Sequence, residues 1–272
     1  MSFPWSAFLA NLWITAAAVL VVMLGALAVA FLRKRHDGID VVWGSGFGVI
    51  AIVTLVAAQG SGDAWRQWLI TALTVAWGAR LAIHIGRRNH GQPEDRRYVE
   101  IMREARGNPW LHAFRKVYLT QGVVMWFVSL PVQVGQYGSA SGVWSTVITV
   151  LGVLVWAVGM FFESVGDAQL SAFKADPANR GQVMDRGLWR YTRHPNYFGD
   201  ACVWWGLALL ALHHPAGLIG LAGAAAITVN LAKGTGAKLL ESTIGERRPG
   251  YVEYVKRTSG FVPLPPKKEV DA

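Results

Sequence analysis

The stretch W-I-T-A-A-A-V-L-V-V-M-L-G-A-L-A-V-A-F-L-R-K-R, Trp13 to Arg35, decides the fold. No charge occurs from Trp13 to Leu32, and three cations follow at once. A bilayer core takes about 20 apolar residues in a helix. No basic region precedes the run, so it reads as a retained first span with a stop-transfer cluster, not as a cleavable signal. Six further stretches follow the same pattern: Val41 to Ala58, Trp68 to Ile85, Val117 to Val134, Val143 to Phe162, Pro195 to Leu212 and Pro215 to Ala232. The third is interrupted by Arg80 and His84, and the fourth holds Tyr118, Gln121, Pro131 and Gln133. The expected fold is all-α: a polytopic membrane protein of about seven helices, residues 1–272 forming a single membrane domain.

Composition agrees. Of 272 residues 53% are hydrophobic and 16% charged, against about 25% charged in soluble domains. That excludes disorder and makes an ordinary soluble domain a poor fit. The single cysteine, Cys202, excludes an intrachain disulfide and a cysteine metal cluster. The net charge of +9 raises nucleic acid, anionic lipid or a phosphorylated cofactor as partners. Charge placement decides among these. Of the 26 basic residues, 24 lie in alternate loops and the tail, leaving Arg66 alone on the other side and Arg80 inside a span. Cytoplasmic loops carry the Lys/Arg excess, which puts the N-terminus outside and the C-terminus inside. Topology thus accounts for the basic charge, and no soluble basic domain is left to bind nucleic acid. The outer loops, residues 135–142 and the His213-His214 turn, are short, so a site should open to the cytoplasm. No internal repeat or low-complexity segment is present.

The segment D-R-G-L-W-R-Y-T-R-H-P-N-Y-F-G-D, Asp185 to Asp200, carries the most chemistry. Proline disfavours helix before it and suits the first helical position, so span six should begin at Pro195. Its free N–H groups would then face the loops beside Arg190, Arg193 and His194, as an anion site does. An interfacial anchor with Tyr191 and Tyr197 is the plainer alternative. Asn196 and Asp200, polar at membrane depth, favour a site. Glu163 and Asp167 share a helix face that extends span five, up to Lys174; they could hold a ribose or adenine, or be an ordinary helix end. Arg80 and His84 are also four apart. Arg80 could serve the pocket or snorkel. Asn89-x-Gly91-x-Pro93 signals a turn, and Asp95, Arg97 and Tyr98 are either cofactor contacts or a solvated loop. Asp40 reads as a helix N-cap. Gly44-x-Gly46-x-Gly48 lies in an apolar run without a preceding strand, so it reads as close helix packing and not as a dinucleotide fingerprint. In the tail, Tyr251, Tyr254 and Arg257 can share one helix face, either as a lid over the loops or as an amphipathic helix on lipid. Pro263 to Lys268 reads as a solvated end. No zinc spacing, nucleophile elbow or phosphate-binding glycine loop occurs.

The R-Y-T-R-H-P-N-Y-F-G-D segment, the seven spans and the terminal G-Y-V-E-Y-V-K-R-T-S-G-F-V-P resemble the steroid 5-alpha-reductase family, in its bacterial branch. The likeness is strongest over residues 162–266, the expected cofactor-binding cytoplasmic half. It implies an oxidoreductase that reduces a carbon–carbon double bond with NADPH, in lipid metabolism. The substrate would be lipophilic (sterol-like, polyprenyl or another unsaturated lipid) and arrive from the bilayer, and the enzyme would sit in a bacterial cytoplasmic membrane. Carried over by position, the resemblance implies cofactor contacts at Asn89, Asp167, Lys174, Tyr191, Asn196 and Asp200, with Glu163 where the animal enzymes have asparagine. The family's substrate-polarising glutamate in span two and tyrosine in span three are absent. Arg80 or His84 is expected to donate to the substrate oxygen instead. Isoprenylcysteine carboxyl methyltransferases, which use S-adenosylmethionine, share the R-H-P-x-Y pattern and form the alternative. Their paired glutamates are missing, because Ser242 follows Glu241.

Overall fold

A computed structural model describes residues 2–233, 248 and 250–267. Glu241 lies outside the described residues. Helices make up the fold, with no β-strand among the described residues beyond two isolated bridges. Helices α1 (Trp5–Arg33), α2 (Ile39–Ala57) and α3 (Ala64–Asn89) are followed by the short α4 (Arg96–Arg103). Next come α5 (Pro109–Ala113), a π-helical segment (Phe114–Leu119), α6 (Thr120–Val128) and α7 (Leu130–Val134). The chain continues with α8 (Val143–Ala175), α9 (Pro195–Ala211), α10 (Leu218–Lys233) and, in the tail, α11 (Tyr251–Arg257).

Among the described residues, five segments are long and apolar enough to cross a bilayer: Trp5–Arg33, Ile39–Ala57, Ala64–Asn89, Val143–Ala175 and Pro215–Lys233. Their outward faces carry Trp13, Val21, Leu32, Val143 and Leu154, all exposed. Such faces fit an integral multi-pass membrane protein, because only lipid relieves that much apolar exposure. The two remaining expected spans differ in form. The fourth is not one regular helix: a π segment and a turn at Ser129 divide it. Just past the π segment Thr120 donates its hydroxyl back to the Arg115 carbonyl, five residues earlier, at 3.1 Å. The sixth starts at Pro195 as expected and runs only to Ala211.

The chain divides into two compact units. The first comprises Met1–Ile148 and Leu210–Gly223. Its α2–α3 hairpin is held by bare backbone contact, since a Cβ on Gly44 would stand 2.5 Å from the Gly78 carbonyl oxygen. The Gly44 run is therefore a packing device. A polar network is buried among α1, α2 and α7. Thr15 donates to Gln133 Oε1 at 2.7 Å, and Asn11 donates to the same oxygen at 3.3 Å. Trp126 donates its indole N–H to Thr15 Oγ1 at 3.1 Å. Arg66, the basic residue set apart from the others by the loop pattern, is 1% exposed. It donates to Ser145 Oγ at 2.7 Å, stacks on the Trp65 ring and stands 3.8 Å from Asp63.

The second unit comprises Thr149–Leu209 and Ala224–Ala272. Its helices α8 and α9 meet through glycines spaced seven apart, Gly152, Gly159 and Gly166 against Gly199 and Gly206. A Cβ on Gly159 would stand 2.5 Å from the Val203 amide, one on Gly199 2.5 Å from the Glu163 amide, and one on Gly206 2.6 Å from the Trp156 amide. A repeat of seven keeps one seam facing its partner along both helices.

Candidate functional site

The glycine seam brings the polar residues of α8 and α9 together. Glu163 and Asp167 lie on the face of α8 that meets the start of α9, which carries Asn196 and Asp200. Asn196 donates its side-chain amide to Asp167 Oδ1 at 3.1 Å. Glu163, Asp167 and Asp200 are 3%, 7% and 8% exposed. Three carboxylates so buried among apolar helices are costly, and such groups in membrane segments mark ligand or ion sites.

The loop before α9 is tied to α8. Gln169 accepts from the Leu188 amide at 3.0 Å, and Trp189 donates its indole N–H to the Gly166 carbonyl at 3.0 Å. Gly187 has φ +59, a left-handed conformation that glycine takes without strain, and its missing Cβ leaves room for the Gln169 amide. The tail then packs over this loop. Tyr254 donates its hydroxyl to the Trp189 carbonyl at 2.5 Å, and Arg257 pairs with Asp185. Burial pushes the Tyr254 phenol well above its usual range, so it stays a donor. The Leu264 amide donates to the Tyr191 carbonyl at 3.0 Å and the Lys267 amide to the Arg257 carbonyl at 2.9 Å. The tail is thus tied down as far as Lys267 by backbone bonds, while Leu264, Pro265 and Lys267 stay exposed, in keeping with the solvated stretch expected there.

The basic residues before α9 divide by role. Arg193 donates to the carbonyls of Thr258 at 2.9 Å and Val255 at 3.2 Å, which clamps the tail. The His194 ring is buried and stacks on Tyr197, centroids 5.3 Å apart. Arg190 and Lys174 are exposed, and so is Tyr191. Glu163, Asp167, Lys174, Arg190, Tyr191, Arg193, His194, Asn196, Tyr197, Asp200, Tyr251, Tyr254 and Arg257 thus all belong to the second unit. Tyr251 and Tyr254 form a ring pair 5.9 Å apart on the buried side of α11.

The other expected residues belong to the first unit. Arg80 and His84 lie half-buried on α3. Asn89 ends that helix and accepts from Arg88 Nε at 3.2 Å; Gly91, with φ +71, makes the expected turn. Asp95 caps α4, accepting from the Arg97 amide at 2.9 Å. Arg97 bridges Asp95 and Asp40, at 3.0 Å to each, and Tyr98 donates its hydroxyl to Asp40 at 2.5 Å. Asp40 is therefore not the N-cap of α2: Gly38 holds that position, and the carboxylate reaches α4 instead. Burial works against charge on Arg97, but its bonds to Asp95 and the charge of Asp40 outweigh this and hold the guanidinium above its ordinary value. Burial, then the Asp40 charge, raises the Tyr98 phenol as well.

Two arrangements went unseen in the sequence reading. One is the glycine seam, visible in the sequence as a spacing of seven. The other is His36: its ring Nδ1 is 3.1 Å from the buried Tyr118 hydroxyl, and its amide donates to Glu94 at 2.5 Å. No sequence period links positions so far apart.

Fold and site together define an all-helical protein of multi-pass membrane type with a buried carboxylate–amide cluster at a helix seam. The chain belongs to the family described as protein of unknown function (DUF1295), whose pattern matches residues 26–258. No curated protein and no solved structure matches it.

Proposed function

We propose that this chain is a membrane reductase that uses NADPH to saturate a carbon–carbon double bond of a lipophilic substrate drawn from the bilayer. The observation that carries this reading is the cluster of Glu163, Asp167, Asn196 and Asp200 along the α8–α9 seam, with three carboxylates at 3–8% exposure. Its chemistry fits the cofactor. Carboxylates accept from ribose hydroxyls and a carboxamide, while Arg190 on the adjoining loop offers a cation to phosphate. NADPH would supply a hydride when bound. In this reading Asp167 and Asn196 orient each other, Asp200 and Glu163 accept from the sugar, and Tyr191 and Tyr197 flank the ring systems. The topology we propose has seven spans, counting the divided run of residues 109–134 and the short α9, with the N-terminus outside. In a Cys202→Ser background, Ser139→Cys should label from outside and Ser259→Cys from inside; the reverse pattern would sink the orientation.

One observation favours a second reading. Arg193 and His194, expected at a phosphate, are spent on the tail clamp and on Tyr197. A ligand without phosphate, such as S-adenosylmethionine, needs fewer cations, which would make the protein a methyltransferase. Thermal shifts of the detergent-solubilised protein with NADPH, NADH and S-adenosylmethionine decide between the two. Stabilisation by NADPH, lost in Asn196→Ala and Asp200→Ala, supports the reductase. Stabilisation by S-adenosylmethionine alone replaces it.

A further inference from the structure

In the first unit, α1 and the π segment with α6 enclose an apolar groove of about 610 Å³. Leu9, Leu12 and Met23 of α1 form one wall; Phe114, Val123 and Trp126 form the other. From Leu9 to Met23 the groove follows α1 for about 21 Å at 1.5 Å per residue. That suits a lipid chain. A headgroup site requires charge at one end, and both walls supply it at the same end. Helix α1 finishes in Arg33, with Lys34 as its C-cap, and the π segment carries Arg115 and Lys116 directly after the groove residue Phe114. The two walls are pinned there by the Phe31–Trp110 ring contact at 4.7 Å and by the His36–Tyr118 bond. The carboxylates nearby are engaged, Asp37 with Arg35 and Glu94 with the His36 amide. Among the described residues, none of Arg33, Lys34, Arg115 and Lys116 has a carboxylate partner.

We propose that this groove binds an anionic phospholipid, with an acyl chain along α1 and the phosphate between the two cation pairs. A free phosphate would have no use for the groove. A zwitterionic lipid would bring its own ammonium against four uncompensated cations. The π segment has a role here. Its extra residue per turn breaks the regular helix where Phe114 and Tyr118 line the groove and Arg115 and Lys116 stay exposed. This site does not depend on the reductase reading.

The test is native mass spectrometry of the full chain, exchanged into phosphatidylglycerol, phosphatidylcholine or diacylglycerol of the same chain length. Phosphatidylglycerol should be retained over the other two. Two variants separate head from chain. Arg115→Gln with Lys116→Gln should weaken retention about tenfold or more, since each basic residue near an anionic lipid contributes substantially. Val123→Trp, on an exposed groove residue, should block the chain and leave the thermal midpoint unchanged. Equal retention of phosphatidylcholine, indifference to either variant, or displacement by excess inorganic phosphate would each overturn the proposal. NADPH thermal shifts on the same samples report separately on the reductase reading, so one can fail without the other.

Discussion

Gly187 and Gly25 show how differently two glycines constrain one chain. A Cβ on Gly187 would stand 2.4 Å from the Gln169 amide nitrogen in a backbone already at φ +59. Gly187→Ala should therefore cost about 1–3 kcal/mol, read as a lower thermal midpoint in detergent. Gly25, mid-helix with nothing within 4 Å, should tolerate alanine or gain from it. The Asp40–Tyr98 pair makes a second prediction. Tyr98→Phe and Asp40→Asn should each destabilise, and a double-mutant cycle should give a coupling of about 1–2 kcal/mol; additivity would show that the pair contributes nothing jointly. His36 makes a third. Burial holds its imidazole below the ordinary value, against the pull of Glu94 and Asp37. Below about pH 6.5 the unfolded chain then binds more protons than the fold, so this contribution is complete above that pH and is lost as pH falls toward the folded value. His36→Gln should flatten the thermal midpoint between about pH 7.5 and 5.5 relative to the parent.

At the scale of elements, the α8–α9 seam sets the site. Its glycines let two backbones touch, and that contact presents Asp167 to Asn196. Gly199→Ala puts a methyl against the Glu163 amide and the Gly159 carbonyl, both backbone atoms that cannot swing away. The helices must part. The expected result is a lower thermal midpoint and loss of any NADPH response, and a variant with both intact would detach the seam from the site. Much of this was legible beforehand. The Pro195 start, the extension of α8 past Glu163, the Gly91 turn and the Gly44 packing all follow from local stereochemistry or a period of 3.6. The division of the expected Val117 to Val134 span was not, because hydropathy counts apolar residues and is blind to a π turn. Nor was the fate of Asp40, Arg66 and Arg193. Each is polar in a position with an ordinary local explanation, and its real partner lies tens of residues away. The candidate site was readable as residue types, but its division between clamp and cluster required three dimensions.

At the scale of the molecule, the tail closes the second unit upon itself. Tyr254, Arg257 and the Leu264 amide bond to residues 185–191, and Arg193 answers from below. Removing one bond should loosen the whole strap. Tyr254→Phe is expected to speed trypsin cleavage after the exposed Arg186 and Arg190 several-fold, while Val252→Ala, on the exposed side of α11, should not. Unchanged digestion in both would mean that the tail is held elsewhere. The first unit is completed from far along the chain. Its segment between α9 and α10 includes Leu212, whose carbonyl accepts from Trp144, and His213, whose ring nitrogens stand 3.1 and 3.3 Å from the carbonyls of Leu210 and Gly138. The ribosome delivers these residues only after α8 and most of α9 have been made. The earliest helices must therefore wait in the translocon's vicinity with one end open, and a nascent chain arrested at residue 209 should be degraded far faster than one arrested at 223.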